Sequence, residues 1–244
     1  MGEVEHINPY HGDTRAKGEQ VRAMFDNIAP AYDFMNRAMT FGLDRVWLRS
    51  LLKRACEDKP TQVIDLATGT GDVALALRKR LPEATIVGLD LSDGMLAYAR
   101  RKADQASANI NFIQGDCLAT GLPDSSVDLI TIAYGVRNFQ DLSAGYREMA
   151  RILRPGGKLC VLELAQPANP LMRACYRLYT STLVPMAGRI LSKDSRAYSY
   201  LPESIAAVPQ REQMTALMEK AGLADAKFKS LFPGVCVLYT ATKK

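Results

Sequence analysis

The chain has 244 residues, 48% of them hydrophobic and 23% charged, and a formal net charge of +5. That length and balance suit one soluble α/β domain with additions, and the mild basicity does not demand nucleic acid, although it also suits an anionic membrane surface. The five cysteines are scattered without metal-ligand spacing and read as reduced thiols of a cytosolic protein, so no metal site is expected. The N-terminus has neither the basic nor the apolar stretch of a secretion signal, and no uncharged apolar run could span a bilayer. Both histidines, His6 and His11, lie near the start, which excludes histidine acid–base chemistry in the core unless that segment folds over the site.

In chain order, residues 1–20 are polar with several glycines and are expected to form a loose head. From Val21 the pattern turns helical. Met24, Phe25, Ile28, Tyr32, Met35 and Met39 recur at helical spacing around Pro30. This stripe either packs on the domain or, with residues 21–60, forms a lid over a binding site, since Met and aromatic side chains suit an adaptable apolar surface. The rest, 21–244, reads as one domain.

Val63 to Asp90 is the organising stretch. A buried strand ends at Asp65, and a turn carries Gly69 and Gly71 around Thr70. A helix runs from Val73, and a second strand, Thr85 to Leu89, closes on Asp90. Closely spaced glycines permit positive φ and let a ligand lie on bare backbone. An acid about 20 residues past such a turn is placed for the two hydroxyls of a ribose. The ligand is therefore an adenosine-containing cofactor. Gly69-Thr-Gly-Asp-Val-Ala74 also satisfies G-x-G-x-x-A, the pattern of dinucleotide oxidoreductases. Asp65 beside the turn tips the reading toward S-adenosyl-L-methionine (SAM), because a carboxylate attracts the ammonium of a methionine and would repel a pyrophosphate.

Further along, Ser92 is a plausible cap for the next helix. Tyr98 and Lys102 form a Y-x-x-x-K pair, which reads as surface coincidence. A third strand, 109–113, leads to Asp116 and Cys117, placed for an adenine amine and a ring nitrogen. The fourth strand, Val127 to Ile132, runs into Ala133, Arg137 and Asn138, where an acceptor would meet the cofactor. A fifth strand covers 156–164. Residues 167–209 form an inserted helical segment whose apolar face (171, 175, 178, 182) is expected to break at Pro185 and Gly188. A helix at 212–221 and a hairpin, 227–231 with 235–241, close the chain.

Two stretches are specific: Phe25 to Asn36, with its Y-D-x-M-N, and the fourth strand with its loop, ending G-x-R-N at Asn138. Together with Asp65 to Asp72, Leu153 to Gly157 and Tyr200 to Ile205, they make the chain resemble the quinone-biosynthesis C-methyltransferases. The resemblance runs from about Val21 to the end. It implies a class I, Rossmann-like α/β fold: a seven-stranded, mostly parallel sheet with the last pair antiparallel, a helical lid and a helical insertion. It implies a SAM site with Asp65, Gly69, Thr70, Gly71, Asp90, Leu91, Asp116, Cys117 and Ala133. Two departures stand out: Thr68 where the family often has glycine, and Ala133 where it often has serine, which leaves Ala133 a backbone contact.

The resemblance implies methylation of a ring carbon of a reduced polyprenyl quinone precursor, demethylmenaquinol or the matching ubiquinone intermediate. In that chemistry Arg137 would stabilise a phenolate, Asn138 would orient the hydroxyl or a water acting as base, and Tyr32 would hold the ring. The prenyl tail stays in lipid, so a cytoplasmic enzyme working at the inner face of the membrane is expected, with Arg173, Arg177 and Arg189 on a docking segment at 171–191. A homodimer is allowed but not required. Three rivals are weighed: an NAD-dependent dehydrogenase; a nucleic-acid methyltransferase, which would show an [N/D]-P-P-[Y/F] loop where this chain has Ala133-Tyr-Gly-Val; and a non-catalytic SAM-binding subunit.

Overall fold

Parallel strands are buried on both faces, and the apolar runs of this chain meet that requirement by alternation. The computed structural model describes residues 3–10, 12–191 and 196–244, the side chains of 183–191 and 196–198 excepted. Its seven strands lie in one sheet in the order β3-β2-β1-β4-β5-β7-β6. They are β1 (Gln62–Leu66), β2 (Thr85–Asp90), β3 (Asn111–Gln114), β4 (Val127–Ala133), β5 (Leu153–Leu164), β6 (Leu223–Leu231) and β7 (Cys236–Lys243). The first five pair in parallel, and β7 runs antiparallel to both β5 and β6.

Alternate residues of each strand feed two cores. Val63, Ile86, Leu129 and Leu162 pack under α3 (Asp44–Ala55), α4 (Asp72–Arg80) and α5 (Asp93–Gln105). Ile64, Leu89, Ile130 and Val161 pack under α6 (Leu142–Ile152) and α9 (Glu212–Lys220). Ser92 caps α5, its hydroxyl accepting from Met95 N at 3.0 Å.

The appended pieces meet over the carboxyl edge of the sheet. Helices α1 (Lys17–Ile28) and α2 (Tyr32–Met39) contribute Met24 and Met35 to a third cluster with Tyr200 of α8 (Arg196–Ala207). Helix α7 (Pro170–Leu191) joins through the Tyr179 hydroxyl, which donates to the Met39 carbonyl at 2.7 Å. Two differences from the sequence reading stand out here. The head is not loose throughout: Val4 is fully buried in a main core, α1 starts at Lys17, and Gln20 is buried. Such burial follows from the apolar Val4 side chain and from Glu5, whose carboxylate accepts from Leu142 N at 2.9 Å at the start of α6. His6 is exposed, and His11 lies outside the described residues. Second, α7 does not break at Pro185 or Gly188 but runs on to Leu191. A proline forfeits one backbone donor, a loss that the remaining turns of a long helix can carry.

Gly71 caps α4 in the left-handed region at φ +82°, and a Cβ there would stand 3.0 Å from Ala99 Cβ and 3.1 Å from a Phe112 ring carbon. Strain and crowding add, so Gly71→Ala should lower stability by about 1–2 kcal/mol or more, read as an earlier denaturation midpoint at unchanged m-value.

Candidate active site

Register brings the acidic strand ends together. Asp65 of β1 lies opposite Gly88 and Thr131. Its carboxylate is buried and accepts from Thr131 Oγ1 and Thr68 Oγ1, each at 2.6 Å. Thr68, a departure from the family pattern, thus satisfies a charge that would otherwise be left half-solvated. Burial pushes the Asp65 carboxyl up to about 7, against the pull of both hydroxyls. Asp90 ends β2 and ties the glycine turn to its own strand: Gly69 N donates to Oδ2 at 2.7 Å and Ser92 N to Oδ1 at 2.9 Å. Burial raises its pKa too, and these N–H groups oppose the rise.

Two cavities open along this edge. The first is lined by Gly69, Asp90, Leu91, Asp116, Cys117 and Ala133, under the lid residues Val21, Phe25 and Tyr32. The second is lined by Asp65, Gly69, Thr70 and Ala133, with Tyr32 and Asp33 above. Every residue expected at the cofactor site therefore borders one or both, except Gly71, whose place is in the turn. Asp116 also caps its own loop, accepting from Leu118 N at 2.8 Å.

Asp26 of α1 and Asp33 of α2, the latter within the Y-D-x-M-N stretch, tie these helices to the rest of the domain. Asp26 accepts from Ser92 Oγ at 2.6 Å and Gly94 N at 3.0 Å, at the start of α5. Asp33 accepts from Thr70 Oγ1 at 2.5 Å and Lys102 Nζ at 2.8 Å, and Lys102 also pairs with Asp72. Lys102 thus does not act with Tyr98 but forms a strut between α2 and the glycine turn. The head contributes Lys17, whose ammonium reaches the carbonyls of Val4 at 2.5 Å and Arg137 at 3.4 Å. Burial brings its pKa down to about 8.

A third space differs in character. An apolar cleft of about 330 Å³ lies between α2, α3, α7 and α8, with Trp47, Leu43, Tyr176, Tyr179 and Ile205 in its walls. Trp47 is anchored by its indole N–H on the Phe232 carbonyl at 2.7 Å. Arg137 faces this cleft, but as half of an ion pair: Nη1 stands 2.7 Å from Glu163 Oε1, and both side chains are buried. Burial opposes the guanidinium charge and the Glu163 carboxylate more than offsets it, so its pKa is raised. Nη1 also donates to the Tyr134 carbonyl, while Nε–H is buried without a hydrogen-bond partner among the described residues. Asn138 lines the first cavity and leaves its Oδ1 buried and, among the described residues, unpartnered. Tyr134, held at φ +59°, and Tyr32 line the apolar cleft and both cofactor-side cavities. Desolvation raises the pKa of both phenols. Glu163, Trp47 and Tyr134 carry no local sequence signal; only tertiary packing brings them here.

The ubiE/COQ5 methyltransferase family model matches residues 13–243. A demethylmenaquinone methyltransferase of Bacteroides fragilis is 42% identical over 98% of this chain and 98% of its own. A ubiquinone/menaquinone biosynthesis C-methyltransferase of Geobacter sulfurreducens is 40% identical over 93% and 90%. Among solved structures, the [4+2]-cyclase SpnF shares the fold with a TM-score of 0.67 at 17% identity, covering 93% of this chain and 96% of that one. A SAM-bound phosphoethanolamine N-methyltransferase 2 of Haemonchus contortus gives 0.61 at 16% identity, over 80% and 52%. At such identities these last two speak for the fold alone.

Because Asp65 keeps its proton to about pH 7 in the folded protein but only to about 4 when unfolded, the native state binds the extra proton between those values. Stability from this group is full below about pH 4 and is lost as pH rises to 7, at up to about 1.4 kcal/mol per unit. Denaturation of the ligand-free protein from pH 5 to 8 should show this fall, and Asp65→Asn should flatten it.

Proposed function

The chain belongs to the ubiE/COQ5 methyltransferase family, and on that premise we propose that it methylates a ring carbon of a reduced polyprenyl quinone precursor, converting demethylmenaquinol to menaquinol. SAM, the methyl donor, supplies an electrophilic methyl group on a sulfonium. The observation that carries the reading is the apolar cleft meeting the cofactor-side cavities at Tyr32 and Tyr134. A greasy acceptor and a charged donor can thus share one boundary while each keeps its own surroundings.

The donor set suits SAM. Asp65, whose carboxyl burial holds up to about 7, would ionise fully beside an ammonium, since an opposite charge favours the carboxylate. Asp90 keeps lone pairs for ribose hydroxyls, Asp116 is placed for the adenine amine and the Cys117 backbone for a ring nitrogen. Leu91 and Ala133 supply apolar contact, and Gly69 and Thr70 supply the turn.

A hydroquinone hydroxyl has an intrinsic pKa near ~10, like tyrosine, and its ionisation loads electron density onto the adjacent ring carbon. We assign the unused Arg137 Nε–H to the quinol oxygen, where the Glu163 pair keeps the guanidinium oriented. Asn138 orients the hydroxyl or a water through its free Oδ1, and Tyr32 holds the ring in near-attack position. The relatives named for both quinones favour a second substrate, the methoxy-polyprenyl-benzoquinol of the ubiquinone pathway, as an alternative for the same site.

Supplied with labelled SAM, the protein should label chemically reduced demethylmenaquinone and not its oxidised form. Label in the reduced benzoquinone as well would mean that the site serves both pathways, and no label in either quinol would defeat the reading.

The prenyl tail needs a route to lipid. Among the described residues no helix is long and apolar enough to cross a membrane. Phe41, Leu171, Leu178 and Phe232 are exposed large apolar side chains beside the cleft, on the loop before α3, on α7 and in the β6–β7 turn. Arg173 and Arg177 are exposed on the same helix, while the side chain of Arg189 lies outside the described residues. We read this as the face that rests on the inner leaflet of the membrane from the cytoplasmic side. In flotation with anionic vesicles the protein should rise with the lipid, and Phe41→Ser with Phe232→Ser should leave most of it at the bottom.

A further inference from the structure

We propose that Asp44 is the general base of the methyl transfer, taking the quinol hydroxyl proton as the ring carbon takes the methyl group. The proposal rests on the substrate reading above. Four residues border both the apolar cleft and the cavity beside Asp65: Tyr32, Asn36, Asp44 and Tyr134. Asp44 is the carboxylate among them, and among the residues lining the apolar cleft no other carboxylate occurs. Asp33, Asp65 and Asp72 line the cofactor side alone and are already engaged, with Thr70 and Lys102, with two threonines, and with Lys102 respectively.

The Asp44 carboxylate is held but not saturated. Oδ1 accepts from Thr40 Oγ1 at 3.1 Å. Oδ2 lies 3.1 Å from Arg37 Nε, yet off the line of a hydrogen bond, and Arg37 Nε and Nη1 are buried without hydrogen-bond partners among the described residues. The Arg37 guanidinium stands beside this carboxylate, and the start of α3 adds its own positive end. Oδ2 therefore retains lone pairs for a hydroxyl at the boundary between the two spaces.

The bookkeeping of bonds is complete. The ring carbon's π pair forms the new C–CH3 bond, and the pair of the broken C–S bond stays on sulfur. The O–H pair becomes the second bond of a ring carbonyl, and the proton passes to Asp44. The dienone then loses the hydrogen on its methylated carbon to solvent. That C–H pair restores the aromatic ring, and the oxygen takes a proton back from Asp44. One proton is released overall. A carboxylate is basic enough because the hydroxyl becomes the conjugate acid of a carbonyl as the carbon–carbon bond forms, far stronger than a resting phenol.

The titratable and charged groups around this junction are Tyr32, Asp33 and Arg37 on α2, Asp65, Asp72 and Lys102 on the cofactor side, Tyr134 and Arg137 after β4 with Glu163 paired to Arg137, and Cys175, Tyr176 and Tyr179 on α7. Desolvation raises all four of these phenols, so an acid limb in kcat at saturating SAM belongs to a carboxylate. Asp65, on the cofactor side, would act on the KM for SAM instead.

The test measures kcat with short-tail reduced demethylmenaquinone across pH 4–8 for the wild type, Asp44→Asn and Asp44→Glu. The affinity of each for S-adenosylhomocysteine is measured by calorimetry. For Asp44→Asn we expect kcat to fall by ~100-fold or more with cofactor affinity within about 3-fold, and the acid limb to vanish; Asp44→Glu should recover at least ~10-fold of the loss. An Asp44→Asn enzyme within about 3-fold of wild-type kcat, or one that loses cofactor affinity in step with kcat, would overturn the proposal. A wild type that turns over no quinol would instead defeat the substrate reading, and this one with it.

Discussion

A methyl group passes only between atoms in van der Waals contact, yet in the proposed reaction the donor is charged and hydrated while the acceptor is an apolar ring on a lipid tail. The site must therefore bring two incompatible solvation environments to one boundary and keep water out of it. The carboxyl edge of a parallel sheet solves half of this, because each strand end delivers a side chain or a bare backbone group to the same line. Asp65, Asp90, Asp116 and Ala133 occupy that line. The apolar half is built from the appended helices, with Trp47, Tyr176 and Ile205 in the cleft they enclose.

What joins the halves is polar: one buried ion pair and two partly exposed links. The Arg137–Glu163 pair, the Asp33–Thr70–Lys102 link and the Asp26–Ser92 link each fasten an element that borders a cavity to the sheet or to α5. Removing one partner of the Arg137 pair would leave an uncompensated charge in the interior, which is costlier than the pair itself is favourable. Asp26 and Asp33 thus fasten the chain on either side of Tyr32, which stands over the meeting point. Tyr134 is held there by a backbone conformation that non-glycine residues seldom adopt, a strain found where the surrounding structure demands a particular placement.

The strands and the glycine turn were legible in the sequence because they rest on local patterns: β-branched runs, two glycines, and an acid at a fixed offset. Ser92 was legible as a cap for the same reason. Glu163 was not, since its partner is 26 residues away and it sits in an otherwise apolar strand. Lys102 looked like half of an irrelevant pair because its partners, Asp33 and Asp72, come from other elements. The head looked loose because its composition is polar, whereas one valine and two charges are enough to seat it. The stripe at 171, 175, 178 and 182 is helical as read, but its residues are exposed; Cys175 borders the cleft, which α7 otherwise lines from Met172, Tyr176 and Tyr179 beside the stripe. Periodicity identifies an apolar face; it does not say whether protein or lipid covers it.

The central claim is that the acceptor ring occupies the apolar cleft next to a filled cofactor site. Trp47 is the single tryptophan of the chain and lies in that cleft, so its emission reports on occupancy. Titrating the S-adenosylhomocysteine-loaded protein with short-tail reduced demethylmenaquinone should change Trp47 emission in a saturable way. The cofactor product alone should leave it almost unchanged. A quinol that is turned over by the enzyme yet produces no saturable change in that emission would contradict the account and place the acceptor elsewhere.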